Sequence, residues 1–221
     1  MNLTLITDAT QEPVTLADAK LQLTISEEFR RDDALICGLI TAARLQAEAY
    51  SRRDLAQKTW QLTLDRFPTN YVNWRVAYPV TPFTSDPLIY QFSASPDYIS
   101  LLDPLISVSS LTYKDGGGTT TAMVPNADYV VDTLKHPGVI APYPGTMWPA
   151  PSSGFWPSSA VQCQFVAGHP PEACPQNYKQ GILLLVTQWY ENRVPFEAIR
   201  FVAELPFSVS SLFGCDPVYK F

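Results

Sequence analysis

Proline distribution is the feature that most limits how this chain can fold. Of the 20 prolines in the 221 residues, sixteen lie between Pro68 and Pro175. Proline removes a backbone hydrogen-bond donor and its ring clashes with the preceding helical turn, so helix interiors tolerate it badly. The middle of the chain is therefore predicted to consist of strands and loops, whereas the two flanks can form helices.

The N-terminal flank predicts two helices. Thr15-Leu16-Ala17-Asp18 matches a capping box and begins a short helix that ends near Leu23. A longer helix is predicted from Asp32 or Asp33 to Tyr50. Its apolar residues recur with helical spacing and predict one buried face. They are Leu35, Ile36, Leu39, Ile40, Ala43, Ala47 and Tyr50.

Alternating apolar and polar residues predict strands through the middle of the chain. Asp115-Gly116-Gly117-Gly118 is typical of a hairpin turn. The segment 68–96 has weak periodicity and predicts long loops with short strand pieces. The predicted strands are Trp60 to Leu64, Tyr98 to Leu101, Ile106 to Lys114, Thr119 to Met123, Tyr129 to Asp132, Val139 to Ala141, and Val161 to about Gly168.

The C-terminal flank predicts a further helix from about Pro175, and no larger helical partner exists for the long N-terminal helix. We therefore expect the two to share a core formed by Leu35, Leu39, Ala43, Ile182, Leu185 and Trp189. The predicted fold class is α+β, with a discontinuous helical bundle from both flanks. Residues 1–56 and 171–221 form the bundle, and residues 57–170 form a β-rich inserted domain.

Charge and hydropathy limit the classes of partner. The net charge of −6 and the scattered basic residues argue against binding to a nucleic acid backbone. Charged residues make up 16%, below the globular average of about 25%. The chain therefore has either a small solvated surface or a surface that neighbouring molecules largely cover, as in an assembly subunit. The first ten residues lack a basic region, and the longest apolar run, Ile182 to Val186, is short. We therefore expect neither a signal peptide nor a membrane span.

Residues that could carry chemistry are few. His136 and His169 each adjoin a proline, and Gly-x-Ser-x-Gly is absent. The four cysteines form no CxxC pair and have no histidine at zinc-ligand spacing, so free thiols are expected. We predict no catalytic residue, no cofactor and no metal site.

Aromatic residues crowd two loop-rich stretches of the middle region. They are Tyr71, Trp74, Tyr78, Phe83, Tyr90 and Phe92, and then Tyr143, Trp148, Phe155 and Trp156. The first interpretation is that they form the core of the β-rich domain. The alternatives are an exposed protein-contact surface, since aromatics are enriched at interfaces, or a sugar-stacking surface.

Seven stretches, spread mainly over both flanks, occur in an order that resembles a known family. They are Pro13 to Lys20, Asp33 to Ile36, Ala42 to Tyr50, Thr59 to Pro68, Val161 to Gly168, Ile182 to Arg193, and Leu205 to Phe207. In sequence and order they resemble the head–tail connector (adaptor) proteins of tailed bacteriophages, and specifically the longer members with a β insertion. One departure is Arg52, where the family often has glycine; we therefore expect that turn to be built differently.

The resemblance implies a non-enzymatic structural subunit of the phage neck. Such subunits form a ring, commonly twelve-fold, beneath the portal, which extends the DNA channel and joins head to tail. The implied partners are further copies of the chain, the portal protein and a downstream neck or tail component. DNA would pass without specific binding, and no membrane is involved. The implied location is the virion neck, between capsid and tail, after assembly in the host cytoplasm.

The C-terminal segment, residues 205–221, is predicted to bind the portal, since a terminal docking arm is common in the family. Its anchors would be Phe207, Val209, Leu212, Phe213, Tyr219 and Phe221. The alternative is that this segment closes the subunit's own bundle. For the whole chain, the alternative function is a virion-surface module whose aromatic β domain recognises a glycan or a host receptor.

Overall fold

The chain forms two compact units. The computed structural model describes residues 2–68, 98–115, 118–149, 159–192 and 207–214. The strand unit comprises Met1–Thr4, Gln61–Leu101 and Ser107–Phe165. The helical unit comprises Leu5–Trp60, Leu102–Ile106 and Val166–Phe221. The main divisions thus follow residues 60 and 165, against the predicted 56 and 170.

Helices occur at both flanks, as predicted, and the α+β class is confirmed. They are α1 (Leu16–Gln22), α2 (Asp33–Ser51), α3 (Gln176–Glu191) and α4 (Phe207–Gly214). The capping box of α1 is confirmed: the Asp18 N–H donates to Thr15 Oγ1 at 3.1 Å, and Asp18 Oδ2 accepts from the Thr15 N–H at 3.1 Å. These two bonds satisfy backbone donors that the first helical turn leaves unpaired.

The turn after α2 has a residue in the left-handed conformation. The prediction that Arg52 makes this turn differ from a glycine turn is therefore wrong. Arg52 has φ 57° and ψ 35°, and its N–H donates to the Glu48 carbonyl at 2.8 Å. A non-glycine residue in this region costs about 1 kcal/mol. The adjacent Arg53 forms an ion pair with Asp103 at 2.8 Å, and the Asp54 N–H donates to the Asp103 carbonyl. These tertiary contacts hold Arg52 in a backbone conformation that glycine would adopt at a lower free-energy cost.

Within the described residues, the strands form two sheets. One has five strands in the order β1-β2-β8-β4-β5, and the other has three in the order β3-β7-β6. The strands are β1 (Asn2–Thr7), β2 (Lys58–Leu64), β3 (Ile99–Ser100), β4 (Leu105–Lys114), β5 (Thr120–Ala122), β6 (Tyr129–Asp132), β7 (Val139–Pro142) and β8 (Val161–Ala167). β1 was not predicted from the sequence.

The hairpin predicted at the glycine run is confirmed by its flanking strands. β4 and β5 pair antiparallel, with Thr112 opposite Ala122 and Lys114 opposite Thr120. In β8, Val161, Cys163, Phe165 and Ala167 are buried and alternate with half-buried residues, as the period of two predicts. The loops predicted within 68–96 lie, from residue 69 onwards, outside the described residues.

Candidate functional site

The core of the helical unit lies where α2, α3 and α4 meet. Ala43, Ile182 and Leu185 are buried in it, and Leu39 and Trp189 are partly buried against it. These five residues of the predicted helical core therefore lie in or beside one cluster. It joins the two flanks of the chain, which are separated by more than a hundred residues of sequence.

Leu35 is a correction to the predicted core. It is 42% exposed, whereas Ile36, one position along, is fully buried. Successive residues of a helix point about 100° apart, so the seven apolar positions of α2 are too widely spread for all to face one neighbour. The face that meets the core is centred on Ile36, Ile40, Ala43 and Ala47.

The C-terminal helix is also a correction, because it closes the subunit's own bundle. Val209 and Phe213 are each 2% exposed and belong to the helical core, so they are not available as portal anchors in this conformation. The Phe213 ring stacks on Tyr178 with centroids 6.0 Å apart. Leu212 is half-buried, and its carbonyl accepts from the Asn177 amide at 3.0 Å.

Three other predicted anchors are not placed. The Phe207 side chain, Tyr219 and Phe221 lie outside the described residues. The close approach of α4 to α3 depends on Gly181, because a Cβ at that position would overlap the Phe213 ring. The Phe213 ring of α4 therefore packs into the space that the absence of a side chain at Gly181 of α3 leaves.

A buried network of charges lies at the C-terminal end of α2. Arg44 Nη1 is 3.1 Å from Glu48 Oε2, and Lys58 Nζ is 2.5 Å from the same Glu48 oxygen. Lys58 also lies 3.3 Å from Asp54 Oδ1, whose other oxygen accepts from the Trp60 indole at 2.7 Å. All four charged side chains are less than 10% exposed. Two cations therefore balance two carboxylates inside the helical unit.

The network also holds the segment after β1. Arg44 Nε is 2.8 Å from Glu12 Oε2, and its Nη2 is 3.5 Å from Asp8 Oδ1. Burial raises the pKa of Asp54, and the Lys58 charge opposes that shift. The burial of Arg44 and Glu48 was not predicted from the sequence. Their i, i+4 spacing is compatible with an ion pair, but it does not reveal whether solvent covers the pair.

Three described aromatics of the strand unit pack on one another. Phe67 is 2% exposed, and its ring stacks on Trp148 with centroids 4.7 Å apart and an interplanar angle of 6°. Tyr113 contacts Phe67 edge-on at 5.9 Å. Of the ten aromatics singled out above, Trp148 takes part in this packing and is half-buried, which favours the core interpretation for that residue. Eight of the ten aromatics singled out above lie outside the described residues, and Tyr143 is 41% exposed.

Four titratable groups of the described residues have structural surroundings. Burial raises the pKa of the Cys163 thiol to about 12 and that of Cys174 to about 11, so both stay protonated at neutral pH. Asp128 and Asp132 accept backbone N–H groups within their own turns. Within the described ranges, no three His, Cys, Asp or Glu side chains are grouped to hold a metal. None of the described helices is long and apolar enough to cross a membrane.

Comparisons with known proteins give structural matches only. No family model and no curated protein matches the sequence. A chain from a structure described as the neck of an empty GTA particle computed with C6 symmetry is 21% identical, with a TM-score of 0.65. A chain from the neck of a native GTA particle computed with C12 symmetry is 22% identical, with a TM-score of 0.64.

A third match comes from the virion of a native gene transfer agent (GTA) particle, at 20% identity and a TM-score of 0.66. Each match covers 96% of this chain and 93% of the other, so it includes both the helical flanks and the strand-rich middle. The chain therefore has the fold of a protein found in the neck structures of gene transfer agent particles.

Proposed function

We propose that this chain is a structural subunit of the neck of a phage-like particle, where it forms a connector ring that joins head to tail. The observation that carries the proposal is the fold match, which extends over 96% of the chain to structures described as particle necks. The connector resemblance of the two flanks was recognised from sequence and supports it independently. The proposed role consists of packing and symmetry, without catalysis.

The proposed ring consists of copies of this chain around the DNA channel. The neck structures that share the fold were computed with C6 and C12 symmetry, which supports a ring of six or twelve copies. Rings arise when a head-to-tail contact closes after a whole number of rotations. The portal on one side and a downstream neck or tail component on the other are the proposed partners. A net charge of −6 suits a channel through which DNA slides without being held.

Cryo-electron microscopy of the particles that contain this chain tests the proposal. We expect symmetric density for multiple copies between the capsid vertex and the tail, into which the fold described above can be placed. A single copy, a position on a peripheral fibre, or absence from the particle would refute the proposal.

We also propose that the last seven residues contribute to portal binding, now that Val209 and Phe213 belong to the core. Two truncations separate docking from folding. A chain ending after Gly214 keeps α4, so we expect wild-type melting but loss of attachment to portal-bearing heads. A chain ending after Glu204 lacks Val209 and Phe213, and we expect it to melt at a lower temperature. Attachment of the folded Gly214 truncation at wild-type level would contradict the docking role.

A glycan- or receptor-binding module is the alternative function, and no described residue favours it. Phe67 is buried and covers one face of the half-buried Trp148, so the Phe67 ring is unavailable for stacking on a sugar. A panel of sugars screened against the purified protein distinguishes the two functions, because a connector subunit should bind none of them specifically.

A further inference from the structure

The solvent-facing side of α2 carries no charged residue. We call it the outer face, and it is formed by Ala34, Leu35, Gly38, Ala42, Leu45 and Ala49, all of them exposed. Gln46, at its edge, is polar but uncharged. A surface helix normally directs its charged residues to solvent and its apolar residues to the core. In α2 both sides are apolar, and Arg44 and Glu48 are buried in the ion network.

The outer face is open in the part of the chain that the structure describes. Leu35 is 42% exposed and Leu45 is 49% exposed. A Cβ added to Gly38 would meet no atom within 4 Å. Contact between these apolar side chains and water is unfavourable. A complex in which a neighbour covered them would be stabilised by about 25 cal/mol for each Å² of apolar surface buried.

Charge identifies the kind of neighbour that fits. Two copies of a chain with net charge −6 repel each other, so they can approach closely only where neither presents charges of the same sign. A nucleic acid backbone would require Lys and Arg, which the outer face lacks. A charged peptide would likewise find no complementary group. An uncharged, largely apolar face is therefore suited to a second copy of this same acidic chain.

The size of the outer face suits repeated weak contacts. From Ala34 to Ala49 the helix rises about 23 Å, and a helix is about 10 Å wide, so the face covers a few hundred Å². A stable complex of two proteins buries about 800 Å² on each partner. The outer face alone is thus too small to hold a dimer in dilute solution. In a closed ring each copy is held on two sides, and small contacts suffice because they act together.

We propose that the outer face of α2 is a contact surface between neighbouring copies of this chain. The inference rests on the proposed ring function and adds which surface holds the ring together. In a ring the contact is head-to-tail, so the outer face of one copy meets a different surface of the next.

A photo-crosslinker tests which molecule covers the face. p-Benzoylphenylalanine replaces Leu45 in the full chain, particles are assembled, and the crosslinked products are analysed by mass. We expect an adduct of two copies, at twice the 24.6 kDa mass of the chain. Crosslinking to a different neck protein, to a segment of the same chain, or to no partner in assembled particles would overturn the inference.

A matched pair of substitutions tests whether the contact is needed. Leu45→Glu places a charge in the proposed contact, whereas Leu134→Glu makes the same change at an 88% exposed leucine of the strand unit. We expect Leu45→Glu to reduce the copies incorporated into necks at least about tenfold, because a buried unpaired charge is strongly unfavourable. Leu134→Glu should assemble like the wild type, and both variants should melt like it in isolation.

The two proposals fail in different ways. If the wild-type chain is missing from the neck, the ring function is refuted. If the wild-type ring forms and the Leu45→Glu ring forms equally well, the function stands and the outer face is not the contact. The crosslinking result does not depend on the folding of the glutamate variant.

Discussion

Several charged residues of this chain lie in its interior and not on its surface. Arg44 and Lys58 are buried because Glu48 and Asp54 lie within ion-pair distance of them. An ion pair of this kind is no stronger than well-packed apolar residues, but removing one partner leaves the others buried without compensation. Such residues therefore constrain which parts of the chain can meet.

The first prediction concerns Lys58. Lys58→Met removes the cation that lies between Glu48 and Asp54, so we expect the free energy of unfolding to fall by about 3–5 kcal/mol. Urea unfolding monitored by circular dichroism measures it. Arg31→Met is the control: Arg31 is exposed, and its substitution should change stability by less than about 0.5 kcal/mol. If the two substitutions had equal effects, Lys58 in the ion network would contribute no more to stability than an exposed arginine does.

The second prediction concerns the capping box of α1. The Thr15 hydroxyl donates to Asp18 Oδ2 at 2.6 Å and holds the pKa of Asp18 below its ordinary value of 3.8. Thr15→Ala should cost about 1 kcal/mol of stability and bring the pKa of Asp18 back towards 3.8. NMR titration of the carboxyl group measures the second effect. A pKa of Asp18 that did not move would show that the hydroxyl is not its partner.

The sign of the pH dependence follows from the lowered pKa of Asp18. A carboxyl with a lower pKa in the folded state stabilises the protein above the ordinary value of 3.8. This contribution is lost as the pH falls from 3.8 through the folded pKa. Asp18→Asn removes the titrating group, so it should abolish this part of the acid sensitivity.

At the scale of elements, α2 shows how burial and exposure are divided on one helix. Its inner side packs in the core, its C-terminal end holds the ion network, and its outer face is uncharged. Since both sides are apolar, periodicity alone identifies the helix but not which side faces the core. The contacts with α3 and α4 decide it.

The third prediction compares the two sides of α2. Ile40→Ala should lower stability by about 2–5 kcal/mol, because Ile40 is 2% exposed in the core. Leu35→Ala should lower it by clearly less, because Leu35 is 42% exposed and lies outside the core. Thermal or urea unfolding of the isolated protein measures both. The reverse order of the two effects would contradict the assignment of the inner side.

The fourth prediction concerns α4. Phe213→Ala removes a ring that packs on Tyr178 and Tyr50, so we expect a loss of about 3–5 kcal/mol. Leu212→Ala is the matched control on the same helix, and its smaller effect is expected because Leu212 is only half-buried. If Phe213→Ala left stability unchanged but reduced attachment to the portal, α4 would be a docking arm after all.

At the scale of the whole molecule, the net charge argues against binding to DNA. With a net charge of −6, counterion release cannot favour binding to the phosphate backbone. The fifth prediction is that fluorescence anisotropy detects no binding of the full chain to double-stranded DNA at about 0.15 M salt. Saturable binding under these conditions would contradict a subunit that lets DNA pass.

The sequence alone determined the features that depend on neighbouring residues. Proline placed the helices in the flanks, Thr15 and Asp18 determined where α1 begins, and the glycine run determined the β4–β5 hairpin. Each of these depends on the backbone geometry of a few consecutive residues. The order of short motifs along the chain also sufficed to recognise the resemblance to connector proteins.

Only the tertiary structure decided which apolar residues are buried and which charges are internal. Ile36 rather than Leu35 faces the core. Arg44 is buried because the fold brings Glu12 and Lys58, which are distant from it in the sequence, next to Arg44 and Glu48. Phe213 became core because α3 has a glycine where its ring packs. Burial is a property of two surfaces in contact, and sequence periodicity describes only one of them.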